Sequence, residues 1–146
     1  MTNEPVSREA ARAVALLAKV LDLTLAELDL SASQYRLLVY LREKPAAATA
    51  LAQLLDVSRP SLTALVDGLV ARGFVVREPD AHDRRRVTHQ ISDAGLAAAS
   101  LADTAVQERL AELLGHLERP EAEGAAHGLE LCLAAILASR AAKAGT

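Results

Sequence analysis

Aromatic side chains are nearly missing from this chain: Tyr35, Tyr40 and Phe74 are the only three, with no tryptophan. That scarcity argues against an aromatic-lined cofactor pocket. The apolar complement is mostly Leu, Ala and Val, which favours helices packed through aliphatic seams over a β-sandwich. Cysteine is scarcer still. Cys132 stands alone, which excludes an intrachain disulfide and any multi-thiolate metal site. There is no run of eighteen apolar residues, and Met1 to Ser7 has neither the basic region nor the apolar core of a secretory leader. A cytoplasmic location without a membrane partner is expected. His82, His89, His116 and His127 have no metal-ligand spacing. No nucleophile–base pair, glycine-rich phosphate loop or paired carboxylates stand out either. The expectation is a non-enzyme with no cofactor and no metal.

What is present is unevenly placed. The net charge is −3, yet residues 31–91 carry nine basic against six acidic side chains, while the segments on either side are acidic. A polyanionic partner responds to the local field rather than to the isoelectric point, so the centre of the chain is where such a partner would bind.

Periodicity gives the organisation. Ser7 reads as an N-cap, after which Val14, Leu17, Leu21, Leu25 and Leu28 recur at helical steps. Ser31 or Ser33 caps a second helix burying Leu37, Leu38 and Leu41, which Pro45 stops. Thr49 is the expected cap of a short helix with Leu51, Leu54 and Leu55 inward. Ser58 caps the next, with Pro60 tolerated in its first turn and Gly73 as its C′ glycine. The period then falls to two: "FVVRE" and "VTHQIS" read as strands joined by the polar "PDAHDRRR". Ser92 or Asp93 caps a long helix carrying Leu96, Ala99, Asp103 and Val106 on one side, and Pro120 opens the last helix. Cys132 falls on the apolar side of that helix, where a buried, unreactive thiol is expected. The fold class is mainly α with a small β-wing: two short helices joined by a tight turn and followed by a hairpin make a winged helix-turn-helix. Residues 31–92 form the expected reading head, with 1–30 and 93–146 as a helical dimerisation region.

In such a head the N-terminal residues of the second helix enter the major groove of duplex DNA. Here Leu62, Leu65, Leu69 and Val70 must pack inward, leaving Ser58, Arg59, Ser61 and Thr63 at the outer start of the helix. Arg59 can donate to guanine or phosphate, and the hydroxyls can reach bases or backbone. An ordinary surface helix with a serine cap has the same pattern, so the hairpin tip discriminates. Arg84, Arg85 and Arg86 sit where arginine has no evident folding role, and an arginine there fits a narrow minor groove. Asp83, two residues before Arg85, is placed on an extended backbone to hold the Arg85 guanidinium. Arg84 and Arg86 then point to the other side. His82 and His89 are expected to face solvent or DNA. An Asp–Arg network that only stiffens the turn remains the competing reading of the tip.

The stretches "LSASQYRLLVYL" (Leu30 to Leu41), "TALAQLLDVSRPSLTALVDGLVARGFVVRE" (Thr49 to Glu78), "DAHDRRRV" (Asp80 to Val87) and "ISDAG" (Ile91 to Gly95) resemble the MarR (multiple antibiotic resistance regulator) family of dimeric winged-helix transcription factors. The resemblance implies a homodimeric, DNA-binding regulator, most often a repressor. It makes Arg85 the minor-groove arginine, Asp83 its orienting partner, and Ser58, Arg59, Ser61 and Thr63 the start of the recognition helix. It also implies a small aromatic or phenolic effector, for which Leu17, Tyr35 and Arg36 are the candidate lining. Ala64 and Gly68 stand where relatives often carry a basic residue, which shifts expected affinity toward wing and backbone. The oxidant-sensing cysteine found near the start of the first helix in one branch of the family has no counterpart here. Dimerisation has a physical basis too, because the Leu/Ala seams of the first and last two helices exceed what a small head can cover; Gly124 and Gly128 would permit close approach. Two recognition helices then meet half-sites roughly 34–36 Å apart, in a pseudo-palindromic operator. The competing function is a winged helix used for protein–protein interaction, which would need no arginine tip.

Overall fold

The computed structural model describes residues 6–145. Residues 1–5, including most of the stretch read for a leader, and residue 146 lie outside the described residues. Six helices and a three-stranded antiparallel sheet follow in the order α1 (Arg8–Ala26), α2 (Ala32–Glu43), β1 (Ala46–Ala47), α3 (Ala48–Leu55), α4 (Arg59–Ala71), β2 (Val75–Pro79), β3 (Val87–Ile91), α5 (Asp93–Leu114) and α6 (Arg119–Ala144). The mainly α architecture with a β-wing expected from the sequence is the one observed. The chain divides into two compact units, Met1–Val106 and Gln107–Thr146, described in turn.

In the first unit the helix boundaries follow from local chemistry. Ser7 accepts from Ala10 N–H at 3.0 Å. Ser31 and Gln34 form a reciprocal capping box, satisfying two otherwise orphaned donors. Ser58 accepts from Ser61 N–H at 3.2 Å. At the other ends three helices close in left-handed caps. Gly73 has φ +75, with Phe74 N–H donating to Leu69 O and Gly73 N–H to Val70 O, both at 2.9 Å, the double hydrogen bond of a Schellman motif. Asp29 and Asp56 make the same turn at φ 54 and 53, a position aspartate tolerates better than most residues.

The buried apolar residues of this unit are all Leu, Val or Ala, with Tyr35, Tyr40 and Phe74 packed against them. Leu25, Leu37, Leu38, Leu51 and Leu69 are fully buried, with Leu62 and Val66 at 1% exposure. Each such side chain contributes roughly 1.5–3 kcal/mol through burial. Val66 replaces the expected Leu65 and Val70 as the central inward residue of α4; those two are half-buried at the flanks. Likewise Leu54 is only half-buried, and Ala52 takes the inward place beside Leu51 and Leu55. α1 contributes Thr24 and Leu25 from its last turn, while Val14, Leu16 and Leu23 stay exposed.

Two further features of this unit differ from expectation. The cap of α3 is Ala47 rather than Thr49, because Ala46–Ala47 extends as β1 against β3. That pairing makes β3 the central strand, in the order β1-β3-β2. His89 consequently lies at 4% exposure beneath the sheet instead of facing solvent or DNA. Its Nδ1 lies 3.1 Å from Ala46 O; since a carbonyl only accepts, Nδ1 carries the proton.

The start of α5 locks onto Phe74, in the segment that joins α4 to β2. Ser92 N–H donates to Phe74 O at 3.0 Å, and the Ser92 hydroxyl accepts from Gly95 N–H at 3.1 Å, so Ser92 rather than Asp93 supplies the cap. A Cβ at Gly95 would stand 2.2 Å from Phe74 O. Only glycine permits this approach, which explains the glycine of "ISDAG".

The second unit holds the last two turns of α5 and all of α6. Pro120 lies in the first turn of α6 as expected, with Glu121 near its start and Lys143 near its end, an order that suits the helix dipole. Leu131, Leu133, Ile136 and Leu137 are each more than half exposed, and no residue of α6 is buried. Cys132 is exposed in this single chain, contrary to the buried thiol expected. By length and composition α6 is long and apolar enough to cross a membrane, although Glu130 interrupts its middle.

Candidate nucleic-acid interface

The turn between α3 and α4 spans only Asp56 to Ser58, so α4 begins abruptly and presents its first turn outward. Ser58, Arg59, Ser61 and Thr63 are all exposed there. Their polar groups already have internal partners. The Ser58 hydroxyl donates to Ser61 Oγ at 2.9 Å, leaving the Ser61 proton available to an outside acceptor. Thr63 donates back to Arg59 O at 3.0 Å, so its hydroxyl meets a ligand as an acceptor. Arg59 donates through Nη1 to Thr49 Oγ1 at 3.0 Å, which uses one of its five N–H groups. Arg59 is also the first residue of α4, where a cation opposes the helix dipole and no acidic residue offsets it.

The wing is a hairpin with Pro79 opposite Val87 as its last strand pair. Beyond it the chain closes through Asp80 N–H to Arg86 O at 2.9 Å and Arg86 N–H to Asp83 O at 3.0 Å. Arg84 and Arg85 therefore occupy the two central positions of a β-turn. The Asp83 carboxylate accepts from the Arg85 backbone N–H at 3.0 Å. Asp83 thus orients Arg85 through the backbone, as an Asx-turn, where the sequence led us to expect a grip on the guanidinium along an extended strand. Asp80 behaves similarly, accepting from His82 N–H at 2.7 Å and Asp83 N–H at 3.3 Å. Those donors, the His82 amide foremost, hold its carboxyl below the usual range. Among the described residues no carboxylate stands within ion-pair distance of Arg84, Arg85 or Arg86.

Wing and helix are tied together by residues that sequence reasoning missed. Arg77 on β2 pairs with Asp67 on α4. One cavity of about 320 Å³ lies behind this pair, lined by Leu62, Thr63, Val66, Val87 and His89. A second, of about 260 Å³, lies between the wing tip and the starts of α3 and α4, lined by Thr49, Arg59, Arg85 and Arg86. The alternation of β2 offered a signal for Arg77: it is the register partner of His89, on the strand flanking the centre of the sheet.

The candidate effector residues are not gathered into either cavity. Leu17 and Tyr35 are half-buried, and Arg36 is exposed with its guanidinium 3.4 Å from Ser33 Oγ. Tyr35 donates its hydroxyl to Asp103, which also accepts from Arg42 at 2.7 Å. Burial, then the Asp103 hydrogen bond and its charge, push the Tyr35 pKa up to about 12, with Arg42 opposing.

Residues 28–86 match the sequence model of the MarR family. An HTH-type transcriptional regulator of Mycobacterium tuberculosis is 36% identical over 80 residues, which are 55% of this chain and 56% of that protein. The chain thus spans about half the length of this relative. Among solved structures, wild-type apo MarR of E. coli superimposes with a TM-score of 0.74 at 27% identity, covering 88% of this chain and 97% of that one. The transcriptional regulator BldR of Sulfolobus solfataricus gives 0.67 at 29% identity, with 85% and 88% covered.

Proposed function

With residues 28–86 belonging to the MarR family, we propose that this chain is a homodimeric transcriptional regulator, acting as a repressor on a pseudo-palindromic operator in the cytoplasm. The observation that carries the reading is the pairing of two exposed surfaces on one unit. The start of α4 has outward Arg59, Ser61 and Thr63, and among the described residues no carboxylate stands within ion-pair distance of the three wing-tip arginines. The α4 residues suit base edges and phosphates in the major groove, and Arg85 suits the electronegative minor groove. Arg84 and Arg86 supply backbone contacts. The role is one of binding, with no catalytic step.

Dimerisation is supported by each unit separately. α1 leaves Val14, Leu16 and Leu23 exposed, and α6 leaves Leu131, Leu133, Ile136 and Leu137 exposed. Apolar surface of that kind calls for a partner, and a second copy of the chain supplies an equivalent face. For a small aromatic or phenolic effector near Leu17, Tyr35 and Arg36, the Tyr35 hydroxyl, which donates to Asp103, would meet the ligand as an acceptor.

The test is binding of the purified protein to the DNA flanking its own gene, by footprinting and across a salt series, with mass measured in solution. A protected palindrome, a dimer, and log K falling against log salt with a slope of about −0.9 per phosphate contact support the proposal. Affinity no greater than for random DNA would instead favour a winged helix used for protein interaction.

A further inference from the structure

α1 enters its core mainly through its last turn. The first half, Arg8 to Leu16, is exposed throughout, and the buried residues are Thr24 and Leu25. The turn that follows, Leu28 to Leu30, is therefore the point about which α1 can swing against the remainder of its unit. A cation from α4 is fixed onto that turn. Arg72, the C-cap of α4, donates through Nη1 to Asp29 O at 2.5 Å and through Nη2 to Leu28 O at 3.2 Å. Its guanidinium also lies over the Phe74 ring, 4.6 Å from the centroid.

This set of contacts suits a guanidinium. Two carbonyls take two N–H groups of one planar fork, and the aromatic ring takes its face. The carbonyls stand just past the C-terminal end of α1, where the helix dipole favours a cation. Leu25 and Leu69 already hold both helices to one core. Apolar burial is non-directional, however, and sets distance better than angle. Two directional hydrogen bonds and a stacked ring fix the angle.

We propose that Arg72 is a positioning residue that fixes the angle between α1 and α4, and through it the separation of the two α4 helices in the homodimer. The second half rests on the dimer and the DNA binding proposed above. Magnitudes make the angle matter. α4 has 13 residues, so its outward first turn stands ~20 Å from the clamp at its other end. A swing of about 10° about the clamp moves that turn by roughly 3.5 Å, which is one base-pair step of duplex DNA. A dimer without the clamp therefore reads half-sites at several spacings instead of one.

The experiment places nitroxide labels at Arg12→Cys and Ala64→Cys, both exposed, in the full chain carrying Cys132→Ser. Labelled protein is diluted about tenfold with unlabelled protein, so that pulsed dipolar spectroscopy reads the distance within one chain. Against this background Arg72→Ala should widen the distance distribution about twofold or more, with Arg72→Lys in between because one ammonium cannot match the fork. Circular dichroism confirms that each variant is folded. An equal width with and without Arg72 overturns the proposal. Unlabelled wild type and Arg72→Ala are then bound to operators whose half-site spacing is changed by one or two base pairs. Wild type should lose ~10-fold or more in affinity on such a change, and Arg72→Ala about threefold or less. The same spacing preference in both overturns the link to the separation of the α4 helices. Failure of wild type to bind any operator would count against the proposed function alone, because the distance within one chain needs neither DNA nor a dimer.

Discussion

Asp67 on α4 holds Arg77 on β2, an ion pair that ties the wing strand to that helix. Both partners are substantially exposed, at 59% and 37%, and pairs of that kind contribute about 0–1 kcal/mol to stability. Asp67→Asn is therefore expected to leave the denaturation midpoint nearly unchanged while weakening DNA binding, because the wing loses its fixed distance from α4. Measuring chemical denaturation and DNA affinity on the same preparation checks this. A variant that loses stability and keeps its affinity would assign the pair to the fold alone.

A second prediction concerns Tyr35. Its hydroxyl bonds to Asp103 and its pKa is pushed up to about 12, against 10.0 for the unperturbed group. With the folded value above the unfolded one, its contribution to stability is complete below pH 10 and is lost as pH rises from there through about 12. Ultraviolet titration of wild type against Tyr35→Phe should show the missing phenol ionising near 12. Ionisation of that phenol near 10 in the folded protein would contradict the buried bond.

His89 gives the opposite sign. Burial foremost, with the charges of Arg77 and Arg59, lowers its pKa below 6.5, and only the Ala46 carbonyl opposes. The folded value is depressed, so the stability it contributes is present above pH 6.5 and is lost as pH falls through the folded value. His89→Gln keeps a donor for Ala46 without a titrating group. Its unfolding free energy should fall less steeply below pH 6.5 than that of wild type, and parallel curves would place His89 in solvent.

Gly95→Ala tests how closely α5 approaches the start of β2. The added carbon meets a backbone carbonyl rather than a flexible side chain, so the backbone must shift. Overpacking of this kind costs typically about 1–3 kcal/mol. A melting temperature equal to wild type would mean that the approach is looser.

Much of the fold was legible because its signals are local. Ser31, Ser58, Gly73 and Pro120 mark helix ends through bonds made within a few residues, and the change of period after Gly73 announces the hairpin. What was illegible depends on partners distant in sequence. Ala46–Ala47 is too short to read as a strand; it becomes one only by pairing with β3, some forty residues later in the register Ala46 opposite His89. That pairing also buries His89 and removes the expected cap role from Thr49, whose hydroxyl turns to Arg59 instead. At the candidate interface, the arginine concentration was visible but its division of labour was not. Arg42 serves Asp103, Arg77 serves Asp67, and Arg72 donates to the Leu28 and Asp29 carbonyls, leaving Arg59 and the tip to face outward. Cys132 shows the limit of one-chain burial: an apolar helix side predicts cover, and the single chain provides none.

The most direct test of the regulator reading is equilibrium binding of wild type and Arg85→Ala to the DNA flanking the gene, at several salt concentrations. Arg85 sits in the turn between Asp83 and Arg86, and among the described residues no carboxylate stands within ion-pair distance of its guanidinium, so the variant should melt like wild type. Its affinity should fall by about 1–3 kcal/mol. Undiminished affinity would reduce the tip arginines to turn residues and contradict a wing that reaches DNA.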